Sequence, residues 1–441
     1  MTIMQDQQKL RDCITQALDL AGKAGASAEV GVYQDQGLLT SVRQGQVDKV
    51  EFTRNHGFSV TVYRGHSKGH ASSSDFSPAA ITQTVQAALD IARFTAADPC
   101  GGLADADQMA RSIPDLDLYH PWELQLPQAI ELARQCEAAG LQAHPAITNS
   151  DGASVVSGES LRGYGNSHGL VVVYPQSRHA VSCALIAKQG DKMERGGWSF
   201  SHRDARALPA VESIGVRAAE RASRRLGSRS VATCDVPVLF AAEIAGGLLG
   251  HFIGAISGGN LYRHASFLER ALGQQIFPSW MTISEHPLLP CEVGSAPVDG
   301  DGLPTVDKAF VCNGELVSYV LGTYSARKLG LRSTANAGGV RNLRCTSTHS
   351  LDDLLRQMGT GLLVTDVMGQ GINILTGDYS RGAAGFWVEN GAIQFPVSEI
   401  TIAGNLKAMF ADLVGVGTDI DNRGNVQTGS ILLASMKVGG K

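Results

Sequence analysis

The stretch 364–409, VTDVMGQGINILTGDYSRGAAGFWVENGAIQFPVSEITIAGNLKAM, decides how the C-terminal part of this chain folds. Glycine stands at almost every point where the chain must reverse: Gly369, Gly371 and Gly377, then Gly382, Gly385, Gly391 and Gly404. Between them lie short apolar pieces at 372–375, 384–388 and 400–403. Short apolar runs between turn residues predict strands, and Asn390-Gly391 is a hairpin signal. Glycine is required where φ is positive or where backbones approach closely.

Upstream, the pattern changes to helices and alternating strands. Leu10, Ile14, Leu18 and Ala21 form one stripe of a helix over 5–24. Alternating segments follow at 28–33, 38–43, 49–54 and 57–63. Ser77-Pro78 then reads as an N-cap with proline at the first helical position, opening a helix that turns Ile81, Val85, Ala88, Leu89 and Ala92 inward. The segment 97–121 is rich in Asp, Pro and Gly and reads as a linker. A second unit carries a helix over 128–143, strands near 147–150, 171–174 and 180–187, and a helix over 211–226. A third starts at Cys234 with a strand at 236–239. The expected class is α+β: an N-terminal α/β part with helices and a mixed sheet, then a Gly-rich, β-dominated C-terminal domain. The expected units are 1–115, 116–230 and 231–441.

Composition narrows the function classes. The chain has 441 residues, 43% hydrophobic and 18% charged, so it is globular and long enough for several cores. The formal net charge is −5 and no long basic run exists, which argues against nucleic acid as a main partner. The locally basic 217–229 reads as the last turns of a helix, where cations suit the dipole. The eight cysteines, Cys13, Cys100, Cys136, Cys183, Cys234, Cys291, Cys312 and Cys345, form no CxxC motif and read as reduced thiols. The N-terminus lacks a secretory apolar core, and no apolar run approaches the roughly 20 residues that span a bilayer. A cytoplasmic protein with no membrane partner is expected.

Residues 299–342 read DGDGLPTVDKAFVCNGELVSYVLGTYSARKLGLRSTANAGGVRN. They hold an Asp-Gly turn, a G-x-P-T at 302–305, Y-S-A-R-K-L-G at 324–330 and N-A-G-G at 336–339. With 364–409, with Ala28-Glu29-Val30 and with GHASSSD at 69–75, they make a chain that resembles the TldD/PmbA family throughout, on its PmbA (TldE) side. The likeness is most specific in the C-terminal half. It implies a dimerising subunit that pairs with a TldD-type catalytic chain. The pair would be a cytoplasmic zinc metalloprotease that processes or degrades unfolded peptides. Family members are associated with peptide-antibiotic maturation and antitoxin turnover. The C-terminal domain is expected to carry the dimer contact, and a homodimer is possible when the chain is alone.

In the TldD branch a helix carries H-E-x-x-x-H, whose histidines bind zinc and whose glutamate is the general base. The matching stretch is LFAAEIAGGLLGH, 239–251. Ala242 stands at the first histidine, Glu243 at the glutamate and Gly247 at the second histidine. Neither alanine nor glycine has a side-chain lone pair. The branch's third ligand is a cysteine in a glycine-rich C-terminal turn; the comparable turn here, GVGTDIDNRG at 415–424, has none, and no cysteine follows Cys345. The resemblance therefore implies no catalytic, metal or cofactor-binding residue in this chain, with zinc in the TldD-type partner.

Other candidates are weaker. His251, His264 and Glu269 would make an atypical metal site, against the commoner fate of isolated histidines as structural or exposed groups. His66 and His70 in RGHSKGH read as a solvated hairpin turn. Asp299 and Asp301 in DGDG start like a calcium loop, but Phe310 stands where an EF-hand needs glutamate. The glycines of 250–259 lack a P-loop ending. Ser325 is in no nucleophile elbow, and Arg327 and Lys328 read as anchors for carboxylates or the dimer contact. Two further readings stay open: an independent metallopeptidase with unconventional ligands, and a non-enzymatic homodimeric regulatory or scaffold protein.

Overall fold

The computed structural model describes residues 3–440. Helix α1 (Gln7–Lys23) buries Leu10, Ile14 and Ala21, with Leu18 half-buried. It leads into three antiparallel strands, β1 (Ser27–Arg43), β2 (Gln46–Arg64) and β3 (Ser67–Ser73). Helix α2 (Pro78–Phe94) follows. The Ser77 hydroxyl accepts the Ala80 amide at 3.3 Å, and Ile81, Val85, Ala88, Leu89 and Ala92 are buried. A cap of this kind is worth about 1 kcal/mol.

After a long ordered segment come α3 (Leu126–Ala143), β4 (Ile147–Asn166), β5 (Val171–Gln189), β6 (Lys192–His202) and α4 (Val211–Ser223). All six strands form one sheet in the order β3-β2-β1-β4-β5-β6, and every pairing is antiparallel. On β1, the residues buried under α1 and α2 (Val30, Val32) and under α3 and α4 (Val42) share one face. Four helices thus lie along one face of a long sheet.

The strands are longer than periodicity suggested. The expected breaks inside 28–43 and 49–63 do not occur; each pair of segments is one strand, and the short pieces near 147–150 and 171–187 likewise extend into β4 and β5. Glycine misled the reading. A Cβ on Gly37 would sit 2.9 Å from the Ser157 carbonyl oxygen, so Gly37 serves a close strand approach rather than a turn. The segment 97–121 is also no slack linker. It is strapped to the C-terminal part by Tyr324 to Asp98 at 2.7 Å, Lys328 to Asp98 at 3.0 Å and Arg327 to Asp105 at 2.8 Å.

The C-terminal part holds β7 (Cys234–Phe240), α5 (Ala242–Ala255), α6 (Gly258–Leu261), β8 (Ile283–Glu285), β9 (Lys308–Cys312), β10 (Glu315–Leu316), α7 (Thr323–Leu329), β11 (Leu343–Cys345) and α8 (Leu351–Met358). It then runs through β12 (Gly361–Met368), β13 (Asp378–Glu389), β14 (Ala392–Asn405), α9 (Leu406–Ala411), β15 (Leu413–Val416), β16 (Val426–Gln427) and β17 (Ile431–Gly439). The fold is α+β, with strands dominating this last part. The Asn390-Gly391 turn joins β13 to β14 with φ of 51° and 75°.

A five-stranded sheet runs β10-β9-β8-β11-β16, and a six-stranded one β14-β13-β12-β7-β17-β15. In the latter, β14 also pairs with β17, so five strands close into a ring. The outer edge of β15 is covered as well: the Thr348 amide donates to the Val416 carbonyl at 2.8 Å. Phe252, Phe277, Phe310 and Met281 are buried in the large core between these elements.

Candidate functional site

The first sheet and the C-terminal part face each other across a cleft of about 410 Å³. On one wall, β6 presents Trp198 and Phe200. Arg217, Arg221 and Arg225 stand beside them at four-residue spacing along α4 and its continuation, which puts them on one stripe. The other wall holds Ala242 and Glu243 at the start of α5, Asp366 on β12, Phe386 on β13 and the turn around Asp419 and Arg423. The structure thus brings together the two places where the TldD-like pattern would carry ligands.

Neither place offers a metal ligand of that pattern. Ala242 contributes only its backbone, and its amide donates to the Ser430 hydroxyl at 3.0 Å. That hydroxyl donates to Asp419 Oδ2 at 2.7 Å, and the Ser430 amide donates to Asp419 Oδ1 at 3.0 Å. Nothing lies within 4 Å of a Cβ built on Gly247, so a side chain there would have room, but none exists. Glu243 is held by Arg221 at 2.7 Å. Arg225 reaches Asp366 at 3.1 Å, and Arg423 reaches Asp421 at 2.7 Å. The guanidinium of Arg423 lies 3.7 Å from the centre of the Trp198 ring, with those of Arg217 and Arg221 at 5.1 and 5.4 Å. Carboxylates that a metal would use are already paired inside the protein, so these residues do not fit zinc. The arginines were read as a helix end suiting the dipole. Their partners, far away in the chain, make them a cleft wall instead.

The other sequence candidates are dispersed. His251 packs edge-on against Tyr379 with ring centres 6.0 Å apart, and burial with the nearby Arg381 charge pushes its pKa down. His264 pairs with Glu269 at 2.9 Å, and no cluster of ligands joins them to His251 among the described residues. His66 lies at a turn and bonds Gly101 O at 3.0 Å; His70 is within β3 rather than in the turn, 3.1 Å from the Thr61 hydroxyl. Asp299 is buried and accepts the amides of Asp301, Leu303 and Ala337. It braces a turn, and burial followed by the charge of Asp301 raises its pKa. Ser325 donates to the Gly322 carbonyl, and Arg327 and Lys328 anchor Asp105 and Asp98.

One group escaped the sequence. Asp117, His120 and Cys291 each bring a potential ligand atom within 4.8 Å of the others. The D-x-x-H spacing of Asp117 and His120 was the only local signal, and it lay in the stretch read as a linker. Burial, then the carboxylates of Asp117 and Asp204, hold the Cys291 thiol above its usual range.

Comparison with known proteins supplies the remaining observation. The pattern described as PmbA/TldA metallopeptidase domain 1 matches residues 28–92, the central domain 119–226 and the C-terminal domain 233–440. The chain is 48% identical to Metalloprotease PmbA of Escherichia coli O157:H7 over 433 residues, covering 98% of this chain and 96% of that protein. A solved Bacteroides thetaiotaomicron protein, described as a candidate modulator of DNA gyrase, superposes with a TM-score of 0.92 at 26% identity, covering 98% of this chain and 99% of the other. TldE from Thermococcus kodakarensis shares the fold, with a TM-score of 0.82 at 19% identity over 98% of this chain and 100% of its own.

Proposed function

The chain belongs to the PmbA/TldD metallopeptidase family, and we propose that it serves there as a PmbA/TldE-type subunit whose zinc is supplied by a TldD-type partner. The observation that carries this reading is the filled cleft. Where a zinc site would need two histidines and a thiolate, Ala242 is bonded to Ser430, Ser430 to Asp419, and Glu243 to Arg221. A glutamate clamped by a guanidinium, with no metal-bound water beside it, is not arranged to take a proton.

The role of the cleft in this reading is to hold an extended, unfolded peptide. The edges of the C-terminal strand ring are closed or covered. The edge at the cleft is that of β6, which pairs only with β5 among the described residues and carries Trp198 and Phe200 into the cleft; a peptide there would displace Arg423, which donates to the Ser199 carbonyl at 3.1 Å. Main-chain bonding along such an edge reads peptides with little sequence preference. The units 1–115 and 116–230 share this sheet, and 231–441 carries the subunit contact. No described helix is long and apolar enough to cross a membrane.

The test is a peptidase assay on this chain, on a TldD-type partner and on their mixture, with size-exclusion chromatography of each. Activity and a heterodimer are expected with the partner, and none from this chain alone. Chelator-sensitive hydrolysis by the isolated chain would replace the proposal with an independent metallopeptidase.

A further inference from the structure

We propose that Asp117, His120 and Cys291 form a zinc site away from the cleft, clasping the 97–121 strap onto the C-terminal part. One carboxylate, one imidazole and one thiol converge from two remote segments, all within 4.8 Å. His120 Nε2 is 3.2 Å from Asp117 Oδ1 and 3.1 Å from the Asp117 carbonyl oxygen, a contact that zinc would replace. Tetrahedral zinc with ordinary Zn–O, Zn–N and Zn–S lengths separates its ligands by about 3.3–3.8 Å, so closure needs a shift of about 1 Å or less. Carboxylate, imidazole and thiolate together favour zinc over the hard cations magnesium and calcium.

The surroundings hold these groups in place. The Cys291 amide donates to the Leu116 carbonyl at 2.8 Å, on one side of Asp117. On the other side, the Ser177 amide donates to the Leu118 carbonyl at 2.9 Å, and the His120 amide to the Ser177 hydroxyl at 2.8 Å. The side chains of Leu116 and Leu118 are buried, so Asp117 between them points outward. Buried Arg203 grips the carbonyls of Glu292 and Val293 at 2.8 Å each, fixing the segment that carries Cys291.

The second ring nitrogen of His120 has a carboxylate nearby, just beyond hydrogen-bond length. Nδ1 faces Asp204 Oδ2 at 3.8 Å, and Asp204 is itself fixed by the Arg206 guanidinium at 2.7 Å. Carboxylate–histidine–metal is the arrangement that orients a ligating imidazole and raises its basicity. Asp204 would become a positioning residue once zinc draws the ring about 1 Å closer to it. Three protein ligands leave the fourth position to water, and Asp117 lies on the solvent side with its side chain 63% exposed.

The experiment uses the full chain, stripped with a chelator and titrated with Zn²⁺ against a chromophoric competitor, and separately with Co²⁺. One Zn²⁺ per chain is expected, and a Co²⁺ adduct with a sulfur-to-cobalt charge-transfer band. Cys291→Ser should abolish that band, and His120→Ala or Asp117→Ala should weaken zinc at least about tenfold. Asp204→Asn should weaken it about 10–100-fold while keeping the band. Circular dichroism of each metal-free variant verifies the fold. The proposal is overturned if the intact chain takes up no stoichiometric zinc, or if Cys291→Ser leaves affinity and spectrum unchanged.

Discussion

The cleft around Glu243 and the cluster around His120 are opposites. The cleft lies where the resemblance to TldD-type chains would put a metal, yet every carboxylate there named above is bonded to a neighbouring side chain or amide. The His120 cluster has no such lineage in the sequence, yet a carboxylate, an imidazole and a thiol meet there within 4.8 Å, bonded only within the strap, where His120 Nε2 touches the carbonyl and carboxylate of Asp117. The cleft is thus self-satisfied: its polar groups are stitched together by Ser430, Asp419 and Arg221. The cluster shows the reverse, a rigid surround and three groups of metal-ligand type with only short-range contacts between neighbours in sequence. If the contrast is real, substitutions in the cleft should cost stability, whereas those in the cluster should cost stability only when zinc is bound.

The largest effect is expected for Asp419→Ala, which strands the buried amide and hydroxyl of Ser430. Leaving such groups without partners should cost about 3 kcal/mol in denaturant unfolding; a loss below about 1 kcal/mol would mean the turn is not the stitch described.

Arg221→Ala comes next. Its pair with Glu243 is about one-fifth exposed on both sides, so solvent screening trims the loss to roughly 1–2 kcal/mol. A double-mutant cycle with Glu243→Gln should return a coupling of about 1 kcal/mol, and additive losses would break the pairing argument.

Acid should then loosen the strap that carries Asp117 and His120. The hydroxyl of Tyr324, the Cys100 amide and the Lys328 ammonium hold Asp98 at about 2, below the ordinary carboxylate value. A depressed folded pKa stabilises fully above about pH 4, the unfolded value, and the contribution fades as pH falls through about 2. Hydrogen exchange at 97–105 should rise over that window, and Asp98→Asn should flatten the rise; an unchanged profile in the variant would assign it elsewhere.

The smallest effects are expected at the two residues most tempting to call catalytic. Glu243→Gln should change turnover of the reconstituted pair by less than tenfold, where a general base contributes about 10²–10⁴-fold. Cys291→Ser in metal-free protein should shift stability by no more than about 0.5 kcal/mol. A hundredfold fall in the first assay, with assembly intact, would make Glu243 a working base.

What could be read from the chain follows the range of the interactions. The helix behind Ser77-Pro78 and the Asn390-Gly391 turn are set by neighbours in sequence, and the structure has them where the residues put them. The long strands escaped because Gly37 looks like a turn until Ser157 is seen pressed against it. In the cleft, the alanine and glycine at 242 and 247 were legible through resemblance, whereas Arg221 on Glu243 and Ser430 on Asp419 depend on tertiary placement. The His120 cluster needed Cys291, which no local pattern ties to residue 120.

The ring of strands in the C-terminal part also dictates an order of events. Its keystone pair joins β7, the first strand of that part, to β17, the last: Leu239 faces Leu432 and Val238 faces Leu433. β17 further bridges to β14. On a ribosome, β7 and β12 can meet early, but the ring stays open until β17 has left the exit tunnel. Until then β7 and β14 expose unpaired edges rich in apolar side chains, the kind of surface that invites misassociation. Closure draws on contacts spanning nearly the whole of this part, so it is a slow step by topology alone. A nascent chain stopped before β17 would keep its glycine turns and its hairpin, yet lack the one strand that turns an open sheet into a closed vessel.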